Sequence, residues 1–245
     1  MQNIIHTKGV VLAILPYNDR TQFVHIYTEA TGKITCRVKA TPRSRRAAVR
    51  NYFTPLTLLE MVIENKSNSE LFDIVEASLL SSPYLLSAAY DPGKSAQCLF
   101  MAELLDKTIR EVEANPRLWH FIEQSIEALP LIEEGSANYH LLFTTKLCYL
   151  LGFHVDTEIY EPGMLFDVSE GLFRRGPINH PYYLNAQSAA WLHLLLCTSF
   201  SDIATLQLNH KQRNILLNMM LQFLRIHLPD AGDLRSVEVL KDLFT

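Results

Sequence analysis

The sequence predicts an α+β protein in which a small N-terminal β-barrel precedes an α-helical domain with a small irregular insertion. Two observations lead to this prediction. Up to about residue 80, apolar and polar residues alternate in short runs bounded by turn residues, which is typical of half-buried strands. From residue 81 onwards, apolar residues recur with helical spacing behind residues that cap helices. We therefore expect two domains, 1–80 and 81–245, with the insertion at 153–184.

The first domain contains five predicted strands. Each is a β-branched or alternating run that ends at a turn signal. The strands are expected at 8–15, 22–28, 33–39, 56–63 and 70–77, with Pro16 and the turn signal Asn18-Asp19 ending the first. Five short strands in about eighty residues fit a closed barrel of the oligonucleotide-binding (OB) type. An SH3-like barrel fits the same pattern and stays open as an alternative.

The second domain contains predicted helices with clear start signals. Asp91-Pro92 and Asn115-Pro116 each place a capping residue before a proline at the first helical position. Further helices and a hairpin around Ser169-Glu170-Gly171 follow from spacing and turn residues. The predicted helices span 91–112, 116–130, 136–151, 186–196, 211–227 and 236–244.

The composition places the chain among ordinary globular proteins. It has 245 residues, 48% of them hydrophobic and 20% charged, which excludes a disordered chain. No run is long enough for a membrane span, and the N-terminus lacks the pattern of a signal peptide. The four cysteines are scattered without a C-x-x-C pair, so we expect reduced core residues rather than disulfides or zinc ligands. We expect a cytoplasmic protein that does not contact the membrane.

A basic stretch at 33–50 is the strongest functional signal. It holds seven basic residues and no acidic one. Residues 1–50 carry a net charge of +7 and residues 51–245 a net charge of −11, so the cluster does not reflect general basicity. Such a local positive field predicts an anionic partner, although a solvated loop has the same composition. The candidate phosphate contacts are Lys33, Arg37, Lys39, Arg43, Arg45, Arg46 and Arg50, with Tyr52 as a candidate for stacking on a base.

Motifs for catalysis or metal binding are missing from the sequence. There is no Walker motif, G-x-G-x-x-G, G-x-S-x-G or H-E-x-x-H, and no two histidines are spaced by three or four residues. The acidic residues read as solvated charges rather than as a paired carboxylate site. We therefore expect a binding protein and not an enzyme, without catalytic residues, metal or cofactor.

Several short motifs, taken in order, resemble the RecO family of DNA repair proteins. Each motif alone is weak, but together they cover most of the chain. They are residues 7–12, 17–19, 27–28 with 32–33, 39–40 with 43–45, then 101–106 and 234–240. The resemblance implies an OB barrel followed by a helical domain. It also implies a nucleoid-associated recombination mediator that binds single- and double-stranded DNA, anneals complementary strands and works with RecR and the single-strand-binding protein to load recombinase.

One departure from the family pattern lies in the insertion. Many family members hold a zinc knuckle with four cysteines at the position of 153–184, where this chain has no cysteine. We expect this insertion to be held by its own packing instead. The candidate packing residues are Phe153, Met164, Phe166 and Phe173.

The resemblance further implies that the helical domain docks the acidic C-terminal tail of the single-strand-binding protein. A tail that ends in a carboxylate needs an apolar pocket with a cation at its rim. The candidate cations are Arg110, Arg117 and Lys146. The alternative function is a protein–protein adaptor whose basic loop binds an acidic partner, without any role for DNA.

Overall fold

The computed structural model describes residues 3–18, 21–39, 52–65, 71–82, 91–110 and 112–243. Contacts between residues divide the chain into two compact units, Met1–Leu131 and Ile132–Thr245. In the part of the chain that is described, no helix has the length and apolar character needed to cross a membrane.

The N-terminal unit is built on a closed five-stranded barrel. Its strands are β1 (Asn3–Asn18), β2 (Thr21–Thr28), β3 (Gly32–Lys39), β4 (Leu58–Asn65) and β5 (Leu71–Ser81). They follow the order β1-β2-β3-β5-β4 around the barrel. All neighbouring strands are antiparallel except β3 and β5, which run parallel. The predicted OB-like barrel is therefore confirmed.

The first strand is longer than its pattern predicted. It starts at Asn3 and continues through Pro16, which was wrongly expected to end it, but its end at Asn18 agrees with the predicted turn signal. Pro16 pairs with Gln22 beside a shift in register, where the β1–β2 ladder is about to end. Proline is tolerated at such a bulge because its missing N–H group removes no regular ladder bond there.

The barrel interior is filled by the alternating apolar residues of the strands. Val11, Val24, Ile26 and Cys36 are all fully buried. Gly9 of β1 leaves room for this packing, because a Cβ atom there would lie 2.4 Å from Met61 Cε and 2.7 Å from Ile26 Cγ2. A side chain at residue 9 would therefore force the barrel core to rearrange.

Two helices complete the N-terminal unit, α1 (Pro92–Thr108) and α2 (Pro116–Ala128). Both start as predicted: the side chains of Asp91 and Asn115 accept hydrogen bonds of 3.1 Å from the backbone N–H groups of Lys94 and Leu118. Helix α1 ends earlier than expected, since Ile109 has extended backbone angles.

Helix α2 makes specific contacts with the barrel. The rings of Tyr27 and Trp119 stack with centroids 6.2 Å apart, and Lys8 Nζ lies 2.8 Å from Glu123 Oε1. The predicted boundary near residue 80 marks the change from strands to helices. The contacts, however, group α1 and α2 with the strands in one compact unit.

The C-terminal unit is helical with a small sheet inserted. Its elements are α3 (Tyr139–Leu150), β6 (Leu165–Asp167), β7 (Leu172–Arg174), β8 (Tyr183–Leu184), α4 (Ala186–Cys197), α5 (His210–His227) and α6 (Ser236–Leu243). These match the predicted helices and hairpin to within a few residues. Short 3₁₀ turns, such as Phe200–Thr205, were not predicted.

Candidate functional site

The basic stretch starts on the outer face of β3. Ile34, Cys36 and Val38 point into the barrel core, whereas Lys33 and Arg37 are only partly buried. This alternation confirms the predicted strand at 33–39. Lys39 is the last residue of β3, and the basic stretch continues beyond it in the sequence.

The first cation of the stretch is engaged by helix α1. Lys33 Nζ lies 3.0 Å from Asp106 Oδ1 and also donates to the backbone carbonyl of Asp106. His25 Nδ1 lies 2.7 Å from the same carboxylate oxygen. Burial alone would raise the pKa of Asp106, but the hydrogen bonds from His25 and Lys33 outweigh burial and lower this pKa.

The second cation of the stretch is held by strand β5. Arg37 Nε and Nη2 donate to Asp73 Oδ1 and Oδ2, each at 2.9 Å. The two residues are direct partners in the parallel β3–β5 pair. A bidentate pair of this kind orients the guanidinium group strongly. Lys33 and Arg37 therefore have intramolecular partners, and Asp73 and Asp106 were not singled out from the sequence.

The remaining basic residues follow strand β3. Arg43, Arg45, Arg46 and Arg50 lie outside the described residues, so their predicted role stays a prediction. Tyr52 packs against the barrel core and is partly buried. The backbone that follows is fixed to β1, since Leu56 N donates to Val11 O at 2.7 Å and Val11 N donates to Thr57 O at 3.0 Å.

A cavity of about 300 Å³ lies in the C-terminal unit. Its lining is mainly apolar and aromatic, and Lys146 is the lysine in it. Lys146 is partly buried on α3. The cavity is lined by Thr145, Lys146, Cys148, Tyr149, Phe153, Val155, Thr157, Phe166, Leu192, Leu196, Met219, Met220 and Phe223.

The other two candidate cations belong to the N-terminal unit. Arg110 follows the end of α1 and Arg117 lies in the first turn of α2, and both are exposed. The expectation that Arg110 lies on a helix was wrong, because extended backbone at Ile109 ends α1 before it. Contacts therefore assign Arg110 and Arg117 to a different unit from Lys146.

The insertion at 153–184 is held by aromatic packing and one buried carboxylate. Phe166 and Phe173 contact each other across the β6–β7 hairpin with ring centroids 5.1 Å apart. Phe153 contacts Phe223 of α5 at 5.6 Å. Asp167 is 1% exposed and lies within 3.3–3.5 Å of His180 and Arg174. Its Oδ1 atom also accepts hydrogen bonds from two backbone N–H groups of the hairpin turn.

The four cysteines lie on four separate elements. Cys36 is on β3, Cys98 on α1, Cys148 on α3 and Cys197 on α4. Burial raises the thiol pKa of Cys36, Cys98 and Cys148 to about 12, so these groups stay protonated at neutral pH. Among the residues that the structure describes, no group of three metal-binding side chains comes together. That the protein lacks bound zinc stays a prediction.

Two protein-family models match this chain. Residues 1–83 match the family model "Recombination protein O N terminal", and residues 89–159 match "Recombination protein O C terminal". The chain is 36% identical over 240 residues to "DNA repair protein RecO" of Bacteroides fragilis, an alignment that covers 97% of this chain and 98% of that protein.

Two further relatives carry the same description. The protein from Phocaeicola vulgatus is 34% identical over 240 residues, covering 98% of each chain. The protein from Christiangramia forsetii is 29% identical over 242 residues, covering 98% of this chain and 99% of that protein. The barrel, the helical region and the full-length similarity agree, and the chain belongs to the RecO family of DNA repair proteins.

Proposed function

We propose that this protein is a recombination mediator that binds single- and double-stranded DNA, anneals complementary strands and helps RecR to load recombinase. The observation that carries the proposal is the basic stretch of seven cations and no acid, which begins on strand β3 of a RecO-family barrel in an otherwise acidic chain. The protein acts by binding and catalyses no covalent reaction.

Phosphate neutralisation is the physical basis of this function. Two complementary strands repel each other through their backbones, and cations near both strands reduce that repulsion. Lys33 and Arg37 already have acidic partners in the protein. The proposal therefore places the main phosphate contacts on the other five basic residues of the stretch: Lys39, Arg43, Arg45, Arg46 and Arg50. Such contacts position a strand without reading its sequence.

The salt dependence of oligonucleotide binding tests the proposal. With five phosphate contacts, log affinity for a single strand falls against log salt with a slope of about −3.5. Replacing Arg43, Arg45 and Arg46 together by Ala leaves two contacts and a slope of about −1.4. Affinity for all oligonucleotides should fall alike, because these contacts carry no sequence preference.

A charge-matched control separates local contacts from the effect of net charge. Arg175, Lys211 and Arg225 are exposed residues of the C-terminal unit, and their triple Ala variant removes the same charge. This control should keep the wild-type slope. If both triple variants change the slope equally, the basic stretch is not the site. If no oligonucleotide binds at low salt, the adaptor function with an acidic protein partner is favoured instead.

We also propose that the cavity of the C-terminal unit docks the acidic tail of the single-strand-binding protein. Its apolar lining suits an aromatic side chain, and Lys146 supplies a cation for the terminal carboxylate. RecR is the second proposed partner, and contact with recombinase is indirect. In this proposal the basic stretch of the barrel binds DNA, and the cavity of the C-terminal unit binds the tail of the single-strand-binding protein.

A further inference from the structure

The outer barrel face carries an exposed aromatic residue on strand β1. Tyr17 lies on strand β1 of the closed barrel and is 69% exposed. Its ring packs edge-on against Phe23 of β2, with centroids 5.3 Å apart and planes at 60°. The ring is therefore supported from one side and open to solvent on the rest of its surface.

The strand register links this aromatic pair to the cations. Leu15 of β1 pairs with Phe23 of β2, and Phe23 pairs with Arg37 of β3. Directly paired residues of neighbouring strands lie on the same face of a sheet. Thr21, two residues before Phe23, pairs with Lys39, the last residue of β3. The exposed ring on β1 thus lies two strands away from Arg37 on β3.

Helix α1 covers a different part of the same face. It engages Lys33 and His25 through Asp106. His25 lies two residues after Phe23 on β2, so one section of the outer face is occupied by the helix and the next presents the aromatic pair. The open section therefore presents the exposed ring of Tyr17, and Arg37, which pairs with Phe23 in the strand register, is bonded to Asp73.

We propose that Tyr17, supported by Phe23, is a stacking platform for an unpaired nucleic-acid base. This inference rests on the proposed DNA binding and deepens it by naming single strands as the substrate class of this surface. An unpaired nucleotide offers an exposed flat base, which can stack on an exposed aromatic ring. In a duplex the base faces are covered by stacking on each other, so the platform favours single strands over double strands.

Oligonucleotides that lack bases isolate the stacking contribution. Fluorescence anisotropy with the full-length protein compares an oligothymidylate, an abasic strand of equal length and a duplex. The two single strands carry the same phosphates, so their affinity ratio reports contacts with bases. We expect wild-type protein to bind the oligothymidylate at least about fivefold more tightly than the abasic strand, the lower end of the range for one stacked base.

Variants at residue 17 then assign that ratio to the ring. Tyr17→Phe should keep it, whereas Tyr17→Leu, which keeps apolar bulk on Phe23, and Tyr17→Ala should both bring it close to one. The slope against salt should stay unchanged, because no charge is removed. Tyr182→Ala is the matched control, since Tyr182 is also exposed and has a ring neighbour, His180, but lies in the C-terminal unit.

Each contrary outcome has a distinct meaning. A wild-type ratio near one with intact DNA binding overturns the platform but leaves the proposed function standing. A ratio that survives in Tyr17→Ala and Tyr17→Leu also overturns it, as does an equal loss in Tyr182→Ala. If none of the oligonucleotides binds at low salt, DNA binding itself fails and the platform fails with it.

Discussion

Lys146 is the charged residue among those that line the cavity of the C-terminal unit. Lys146 lines an otherwise mainly apolar and aromatic cavity together with residues of α4 and α5. A carboxylate that leaves bulk water needs a charged partner, because desolvation of an unpaired charge is costly. At the residue scale, the tail-docking proposal therefore depends on this ammonium group.

A fluorescent peptide with an acidic sequence and a C-terminal Phe tests the role of Lys146. Lys146→Ala should weaken peptide binding by about 1–3 kcal/mol, the usual range for a lost hydrogen bond to a charged group. Lys211→Ala, at an exposed lysine of α5, should leave the affinity unchanged. If Lys146→Ala binds normally while Arg110→Ala or Arg117→Ala does not, the tail docks on the N-terminal unit instead.

Some contacts of individual residues could be predicted from the sequence, and others could not. The caps at Asp91 and Asn115 were predictable, because a cap interacts with backbone only three residues away. The partners of Lys33 and Arg37 were not, since Asp106 and Asp73 lie on elements that only the fold brings near. An alternating pattern identifies which face of a strand is wet, but not which distant side chain reaches it.

At the element scale, one carboxylate of helix α1 contacts side chains of both β2 and β3. Asp106 accepts from Lys33 of β3 and is 2.7 Å from His25 of β2, so one helix contacts two strands. The pKa of Asp106 is lowered by these bonds despite its burial. A carboxylate with a lowered pKa stabilises the folded state above its unfolded pKa, and this contribution is lost as pH falls through the folded value.

Asp106→Asn should therefore reduce stability at pH 7 and matter less in acid. We expect a loss of about 1–3 kcal/mol in the free energy of unfolding at pH 7, because Lys33 and His25 lose a charged partner. The difference from wild type should shrink as pH falls below about 4, where the carboxylate becomes protonated in unfolded wild-type protein. Urea denaturation at a series of pH values measures both effects.

The ion pair of Asp233 provides a control for this series. Asp233 is 80% exposed in its pair with Arg225, and exposed pairs contribute little to stability. Asp233→Asn should therefore change the free energy of unfolding by less than about 1 kcal/mol at every pH. A difference for Asp106→Asn that stays constant down to pH 3 would contradict the assigned role of the charged carboxylate.

The elements themselves were largely predictable, and the exceptions have physical causes. The five strands and the capped helices follow from the local periodicity of apolar residues, which can be recognised without knowing the fold. The extension of β1 through Pro16 depends on its pairing with β2, and the closure of the barrel depends on the parallel β3–β5 pair. Both are pairings between separate segments, so no single run of residues encodes them.

At the scale of the whole molecule, the boundary between the two compact units differs from the domain boundary that the sequence pattern predicted. The change from strand to helix near residue 80 suggested a domain boundary, and the two family models also meet between residues 83 and 89. The contacts place α1 and α2 with the barrel, up to Leu131. Tyr27 is fully buried and stacks on Trp119 of α2, so the barrel without its helices would expose this ring.

Two N-terminal fragments distinguish these boundaries. Fragment 1–131 should unfold cooperatively, because it retains the helices that cover Tyr27 and engage Lys8 and Lys33. Fragment 1–83 should melt more than about 10 °C lower. Each large side chain that it uncovers costs about 1.5–3 kcal/mol, and about 1 kcal/mol shifts the melting temperature of a small domain by about 4–8 °C. Thermal melts followed by circular dichroism compare the two, and equal melting temperatures would mean that the barrel is the independent folding unit.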